Sequence, residues 1–98
     1  MSMHKFAGHE SAQAGYTIDR NGCTLQSYST HVATVDNEGW LTVKGLYSRT
    51  TIKHIGWFMK MLADKYNNKS LTYHLAKQLY LDGMTMNLLT GECQTIDG

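Results

Sequence analysis

Proline is absent from the 98 residues, and cysteine occurs only twice, at Cys23 and Cys93. Without proline, the breaks in the chain have to be found from glycine and from Asn/Asp clusters. Two distant cysteines with no neighbouring Cys or His exclude a disulfide scaffold and a zinc-finger spacing, and they fit a reducing compartment. No apolar run approaches the roughly 18 residues of a helical membrane span. The opening Met1-Ser2-Met3-His4-Lys5 lacks the hydrophobic stretch of a signal peptide, so the expected location is the cytoplasm. Charge is also sparse, at 17% charged residues and a net +1, which excludes a disordered polyelectrolyte and a coiled coil. No repeat or low-complexity segment occurs.

What is present is an ordinary globular composition, 42% hydrophobic and 10% aromatic. A chain this long buries roughly 65% of its unfolded surface as one domain, enough for a core without staples. Residues 1–15 carry His4, Gly8, His9, Ser11 and Gly15 with no sustained period, and read as a weakly ordered arm ahead of a single domain over 16–98. Asp19-Arg20-Asn21-Gly22 then separates Tyr16-Thr17-Ile18 from a long Thr/Ser-rich stretch over 23–35, and Asn-Gly is a strong hairpin signal. Asp36-Asn37-Glu38-Gly39 supplies a second turn before a β-forming run over 40–47. The expectation is a three-stranded antiparallel meander over 16–47, because the connections are too short for parallel pairing. Strict alternation in its middle strand puts His31, Ala33 and Val35 on one face, with Tyr28, Thr30, Val32 and Thr34 on the other.

The period changes after Ser48-Arg49-Thr50-Thr51. Ile52, Ile55, Met59, Leu62 and Tyr66 recur at steps of three and four, which predicts an amphipathic helix over 50–66 with a hydroxyl residue as its cap. Its core face spans Phe58, Leu62, Ile55, Tyr66, Met59, Ile52 and Ala63 as far as Gly56, where the missing side chain would admit another backbone. Asn67-Asn68-Lys69 ends it. Ser70 or Thr72 then caps a shorter helix bearing Leu71, Leu75, Ala76, Leu79 and Tyr80, which stops at Asp82-Gly83. The segments 84–89 and 92–96, joined through Thr90-Gly91, predict either a terminal hairpin or an edge strand on the main sheet, with the edge strand preferred. The fold class is therefore α+β: an antiparallel sheet with two antiparallel helices packed on one face.

Two segments, Ser27-Tyr28-Ser29-Thr30-His31-Val32-Ala33 and Tyr47-Ser48-Arg49-Thr50-Thr51-Ile52-Lys53-His54, resemble a pattern in small accessory proteins of bacteriophages and related mobile elements. With the turn and strand between them, the likeness covers about a third of the 98 residues. Thr90-Gly91-Glu92 adds a weaker match. The resemblance implies a short intracellular protein of an infected bacterium, and it transfers no catalytic residue.

Three features carry candidate chemistry. Ser48, Thr50 and Thr51 with Arg49, Lys53 and His54 crowd a helix start, whose free N–H groups and dipole favour an anion. The plainer reading is that a hydroxyl caps the helix and the cations face water; without a glycine-rich loop, any phosphate contact would be shallow. Residues 44–77 hold seven cations, Lys44, Arg49, Lys53, Lys60, Lys65, Lys69 and Lys77, against the single acid Asp64, while the remainder of the chain is acidic. Such asymmetry fits a face for nucleic acid, although no zinc-finger, RNP or recognition-helix motif accompanies it, and Lys60 with Asp64 four residues on reads as an ordinary solvated pair. His54, Trp57 and Met61 form a second stripe on the side of the helix away from the core, opposite Ile52 and Ile55, either an interface or a surface covered by a neighbouring strand or the arm.

Catalytic and metal chemistry lack support. His54 and His74 stand on different predicted helices, and Asp36 and Glu38 belong to a turn. Neither a cofactor nor a metal site is expected. The sequence thus yields two function classes. The first is a non-enzymatic accessory protein that binds and modulates a host protein, or a second copy of itself as a homodimer, through His54, Trp57 and Met61. The second is a nucleic-acid-binding accessory using Ser48, Arg49, Thr50, Lys53 and Lys60, whose affinity would fall steeply with salt.

Overall fold

The computed structural model describes residues 3–46 and 48–96. Its elements are β1 (Ala14–Asp19), β2 (Gly22–Ser27), β3 (Thr30–Asp36), β4 (Trp40–Val43), α1 (Arg49–Lys65), α2 (Tyr73–Asp82), β5 (Met84–Asn87) and β6 (Cys93–Thr95). The six strands form one sheet in chain order, every neighbouring pair antiparallel. α1 packs on β1, β2 and β3, α2 packs on β4 and β5, and the helices touch each other. This is the two-layer α+β arrangement that a half-apolar sheet and two amphipathic helices require.

The stretch expected as one long middle strand is two. It folds back at Tyr28-Ser29, with Ser27 paired to Thr30, so four strands precede α1. Tyr28 takes φ 56°, the left-handed region that bulky residues avoid. Its N–H donates to the Gln13 carbonyl at 2.7 Å, and its own carbonyl accepts from the Gln26 amide at 2.9 Å. The first hairpin also differs by one position: Asp19 pairs with Gly22, leaving Arg20-Asn21 as the turn. Gly22 opens β2 at φ 127° against the Val35 carbonyl, so both its backbone angle and the space beside it demand glycine.

A bulge corrects the expected alternation in β3. Leu25 faces Ala33 but Gln26 faces His31, so Val32 is an extra residue without a direct partner. Val32 therefore turns into the core beside Ala33, while His31 turns to solvent. The sheet face away from the helices is polar, and Thr17, Thr24, Thr34 and Thr42 line up across four strands there. The Thr42 hydroxyl continues this row to the Thr85 hydroxyl at 3.1 Å.

The C-terminal alternatives are both realised, because β5 pairs with β4 and also forms a hairpin with β6. Asn87 holds that hairpin: its side-chain carbonyl accepts from Leu89 and Thr90, and its amide donates to the Glu38 carbonyl at 3.0 Å. Ser48 caps α1, accepting from the Thr51 N–H at 3.2 Å, and Thr72 caps α2. Gly83 ends α2 in the left-handed conformation, φ 65°. The core gathers Leu25, Val32, Leu41, Ile55, Phe58, Met59, Leu62 and Leu71, all essentially inaccessible. Residues of the N-terminal arm run beside β1, where His4 and Tyr16 exchange backbone hydrogen bonds at 2.7 and 2.9 Å, and Phe6 is buried against the core.

Candidate functional site

α1 divides into an inner and an outer half. Its buried residues are Thr51, His54, Ile55, Phe58, Met59 and Leu62, so the inner face is rotated toward His54 relative to expectation, and Ile52 sits at its margin. His54 is 2% exposed. Its Nδ1 lies 2.7 Å from the Ser27 hydroxyl, which also lies 3.3 Å from the Thr51 hydroxyl. The Ser48 hydroxyl in turn donates to Thr51 Oγ1 at 3.2 Å. These four residues come from the two segments of the accessory-protein pattern, and they close into one hydrogen-bonded chain between α1 and β2. Tyr47, also in that pattern, lies outside the described residues.

The chain explains how a histidine and a serine can be buried together, since each supplies the partner the other needs. Among the described residues no buried side-chain polar atom lacks a partner. Burial, and secondarily the neighbouring Lys53 charge, hold the His54 imidazole below its ordinary pKa, so the ring is neutral at physiological pH. Although Ser27 and His54 are paired as a nucleophile and base would be, Ser27 is 1% exposed and offers no approach to a substrate.

The stripe of His54, Trp57 and Met61 is thus divided. His54 belongs to the interior, whereas Trp57 and Met61 are half-buried against the core. The His9 imidazole lies flat on Trp57, centroids 3.7 Å apart and planes 13° apart, and Phe6 approaches from the side at 6.1 Å. The arm therefore covers part of Trp57. A groove of about 500 Å³ remains between arm and helix, with Phe6, Tyr16, Trp57 and Met61 on its walls and the exposed Lys5 and Lys60 beside them.

On the outer half, Arg49, Lys53 and Lys60 are all exposed. At 100° per residue they fall within an arc of about 40°, and they span roughly 16 Å of helix. Thr50 is half-buried beside them, and Lys44 is exposed just after β4. Ser48 and Thr51 are occupied by the internal network, so of the expected anion-contact residues the structure leaves Arg49, Lys53 and Lys60 as an outward row. Gly56 lies in the same row, and a Cβ built there meets nothing within 4 Å. The close backbone approach expected at Gly56 is absent among the described residues.

Among the described residues no three His, Cys, Asp or Glu side chains are grouped to hold a metal ion. Cys23 is buried, and burial raises its thiol pKa, which disfavours the reactive thiolate. No helix is long and apolar enough to cross a membrane. Sequence reasoning missed Ser27 as the partner of His54, and Phe6 and His9 as partners of Trp57. The repeated hydroxyl residues of the two pattern segments were a signal for the first; a lone Phe6 in an aperiodic arm was the signal for the second.

Fold and site together define a small α+β domain with a sealed polar network inside its long helix and a cationic row outside. Residues 2–74 match a family of unknown function, DUF8033, and the chain belongs to that family. The match takes in the arm, β1 to β4, α1 and the first two residues of α2. No curated protein and no solved structure matches the chain.

Proposed function

We propose that this protein is a small non-enzymatic accessory protein, of the bacteriophage type its two pattern segments resemble, that binds nucleic acid through the outer side of α1. The observation that carries this reading is the row Arg49, Lys53, Lys60 with Gly56 set among the cations. A glycine inside a helix costs about 0.5–1 kcal/mol relative to alanine. No neighbour among the described residues needs the space at Gly56, whereas a phosphate backbone drawn in by the cations would use it. The acids lie elsewhere, Asp19 at the first hairpin, Asp36 and Glu38 at the β3–β4 turn, and Asp82 at the end of α2. Asp64 alone interrupts the outer face of α1.

A host protein, or a second copy of this chain, docking on Trp57 and Met61 is the second reading, favoured by the apolar walls and charged margin of the groove. An electrophoretic mobility shift separates the two. With 12- to 20-nucleotide DNA and RNA at about 50 mM salt, binding is expected, and it should weaken by at least ten-fold at about 200 mM. Replacing Lys53 and Lys60 together by Ala should weaken it further and flatten the salt dependence. No binding at low salt would reject the nucleic-acid reading, and affinity capture of a host protein that is lost in Trp57→Asp would establish the second.

A further inference from the structure

We infer that the groove between the arm and α1 is a single-strand site in which a nucleobase takes the place of His9 on the face of Trp57; this rests on the nucleic-acid reading above and names its substrate class. The geometry of the stack is the starting point. An imidazole at 3.7 Å and 13° from Trp57 is a flat heteroaromatic ring in near-parallel contact, the arrangement a stacked base adopts. Two further rings crowd the indole at tilted angles, His54 at 5.1 Å and Phe6 at 6.1 Å between centroids, and both are buried, so Trp57 has little room to move. A rigid platform loses little freedom when a ring stacks on it.

His9 is placed to leave. Phe6 is anchored in the core, but Gly8 follows at φ 81° with open space around it, and His9 itself is only half-buried. The contacts that hold the His9 backbone are local, its N–H to the Phe6 carbonyl at 2.9 Å and its carbonyl to the Ala12 N–H at 3.1 Å. A change of side-chain rotamer at His9 would take the imidazole off Trp57 and leave the backbone contacts, Phe6 and the His4–Tyr16 bridge in place.

The charges beside the groove suit a sugar-phosphate chain. Lys60 stands in the groove and also ends the row that runs through Lys53 to Arg49. Lys5 stands across from it, its ammonium donating to the Ala12 carbonyl at 2.6 Å with further donors left. Asp64 is the one acid lining the groove. A strand whose base sits on Trp57 would pass its phosphates along Lys60 and Lys53, the combination of aromatic platform and cationic track by which single strands are held. A duplex keeps its bases stacked within itself and would meet only the cationic row.

The test uses the whole chain with Trp40 replaced by Phe, so that Trp57 is the sole tryptophan reporter. Fluorescein-labelled dT12 and a duplex of the same length are titrated at about 50 mM salt. The inference predicts quenching of Trp57 by dT12 but not by the duplex, and an affinity for dT12 at least about five-fold higher, the value of one stacked base. His9→Ala removes the competitor and should tighten dT12 binding several-fold while leaving duplex binding unchanged. Trp57→Leu should erase the preference for the single strand, and Trp57→Phe, which keeps an aromatic platform if the leucine variant fails to fold, should retain part of it. Equal affinity for both forms, or His9→Ala that leaves dT12 binding unchanged or weaker, overturns the inference while the α1 reading stands. Failure of both probes to bind overturns the two together.

Discussion

The two sides of α1 obey opposite rules. On the inner side the polar groups find partners within the same chain: Ser48 with Thr51, Thr51 with Ser27, Ser27 with His54. On the outer side Arg49, Lys53 and Lys60 stand exposed around a glycine that none of the described residues requires. A polar residue that is buried and satisfied is explained by folding, because removing its partner strands a desolvated group. A helix-weakening glycine with open space around it has no such explanation from folding. The contrast assigns the inner half of the helix to structure and directs the search for function to the outer half and to the groove at its flank.

The inner side is the place for the largest stability effect. Ser27→Ala removes the hydroxyl that joins His54 to Thr51 and takes away the partner of the imidazole Nδ1. A loss of about 1–3 kcal/mol is expected from a urea melt, with nucleic-acid affinity unchanged once the protein is folded. Stability unaffected within about 0.5 kcal/mol would mean that the network is incidental and the contrast false.

Acid should expose the same network through His54. Its pKa is lowered in the folded chain, first by burial and then by Lys53, while the unfolded chain titrates near the ordinary 6.5. Between the two values the unfolded state binds more protons than the folded one, so stability rises with pH in that window. The contribution is therefore complete above about pH 6.5 and declines as pH falls toward the folded pKa. Thermal midpoints measured from pH 7.5 down to 5.5 should fall, and His54→Asn, which can keep a bond to Ser27 without titrating, should flatten the slope. An unaltered slope in that variant would place the acid sensitivity elsewhere.

The fold was readable wherever structure is local. Steps of three and four from Ile52 to Tyr66 located α1 to within one residue at each end, and Asp82-Gly83 marked the end of α2. Non-local features were hidden. The turn at Tyr28-Ser29 carries no Gly, Asn, Asp or Pro, and a tyrosine at φ 56° is sustained by the Gln13 and Gln26 contacts, which only the folded chain supplies. The bulge at Val32 inserts one residue into a period of two, so alternation counted from either end of β3 contradicts the other. His54 looked like a surface residue because its polarity is satisfied by Ser27, 27 positions earlier. The cations were legible because nothing in the fold claims them, and the arm was not, because Phe6 and His9 act through single contacts without a period.

The smallest effect is also the sharpest, because it asks for opposite signs in two measurements. Gly56→Ala places a methyl group where, apart from the adjoining helix backbone, no atom of the described residues lies within 4 Å, in a helix interior where alanine is the better residue. Folding should gain about 0.5–1 kcal/mol, which for a domain of this size raises the thermal midpoint by a few degrees. If Gly56 is kept for a partner's close approach, the same methyl group should weaken nucleic-acid binding several-fold while Arg49, Lys53 and Lys60 remain in place. A variant that is both more stable and equally tight would show that the glycine serves nothing outside the chain, leaving the outer side of α1 with charge alone to distinguish it. A variant that gains stability and loses affinity cannot be explained by damage to the fold, since the fold would have improved.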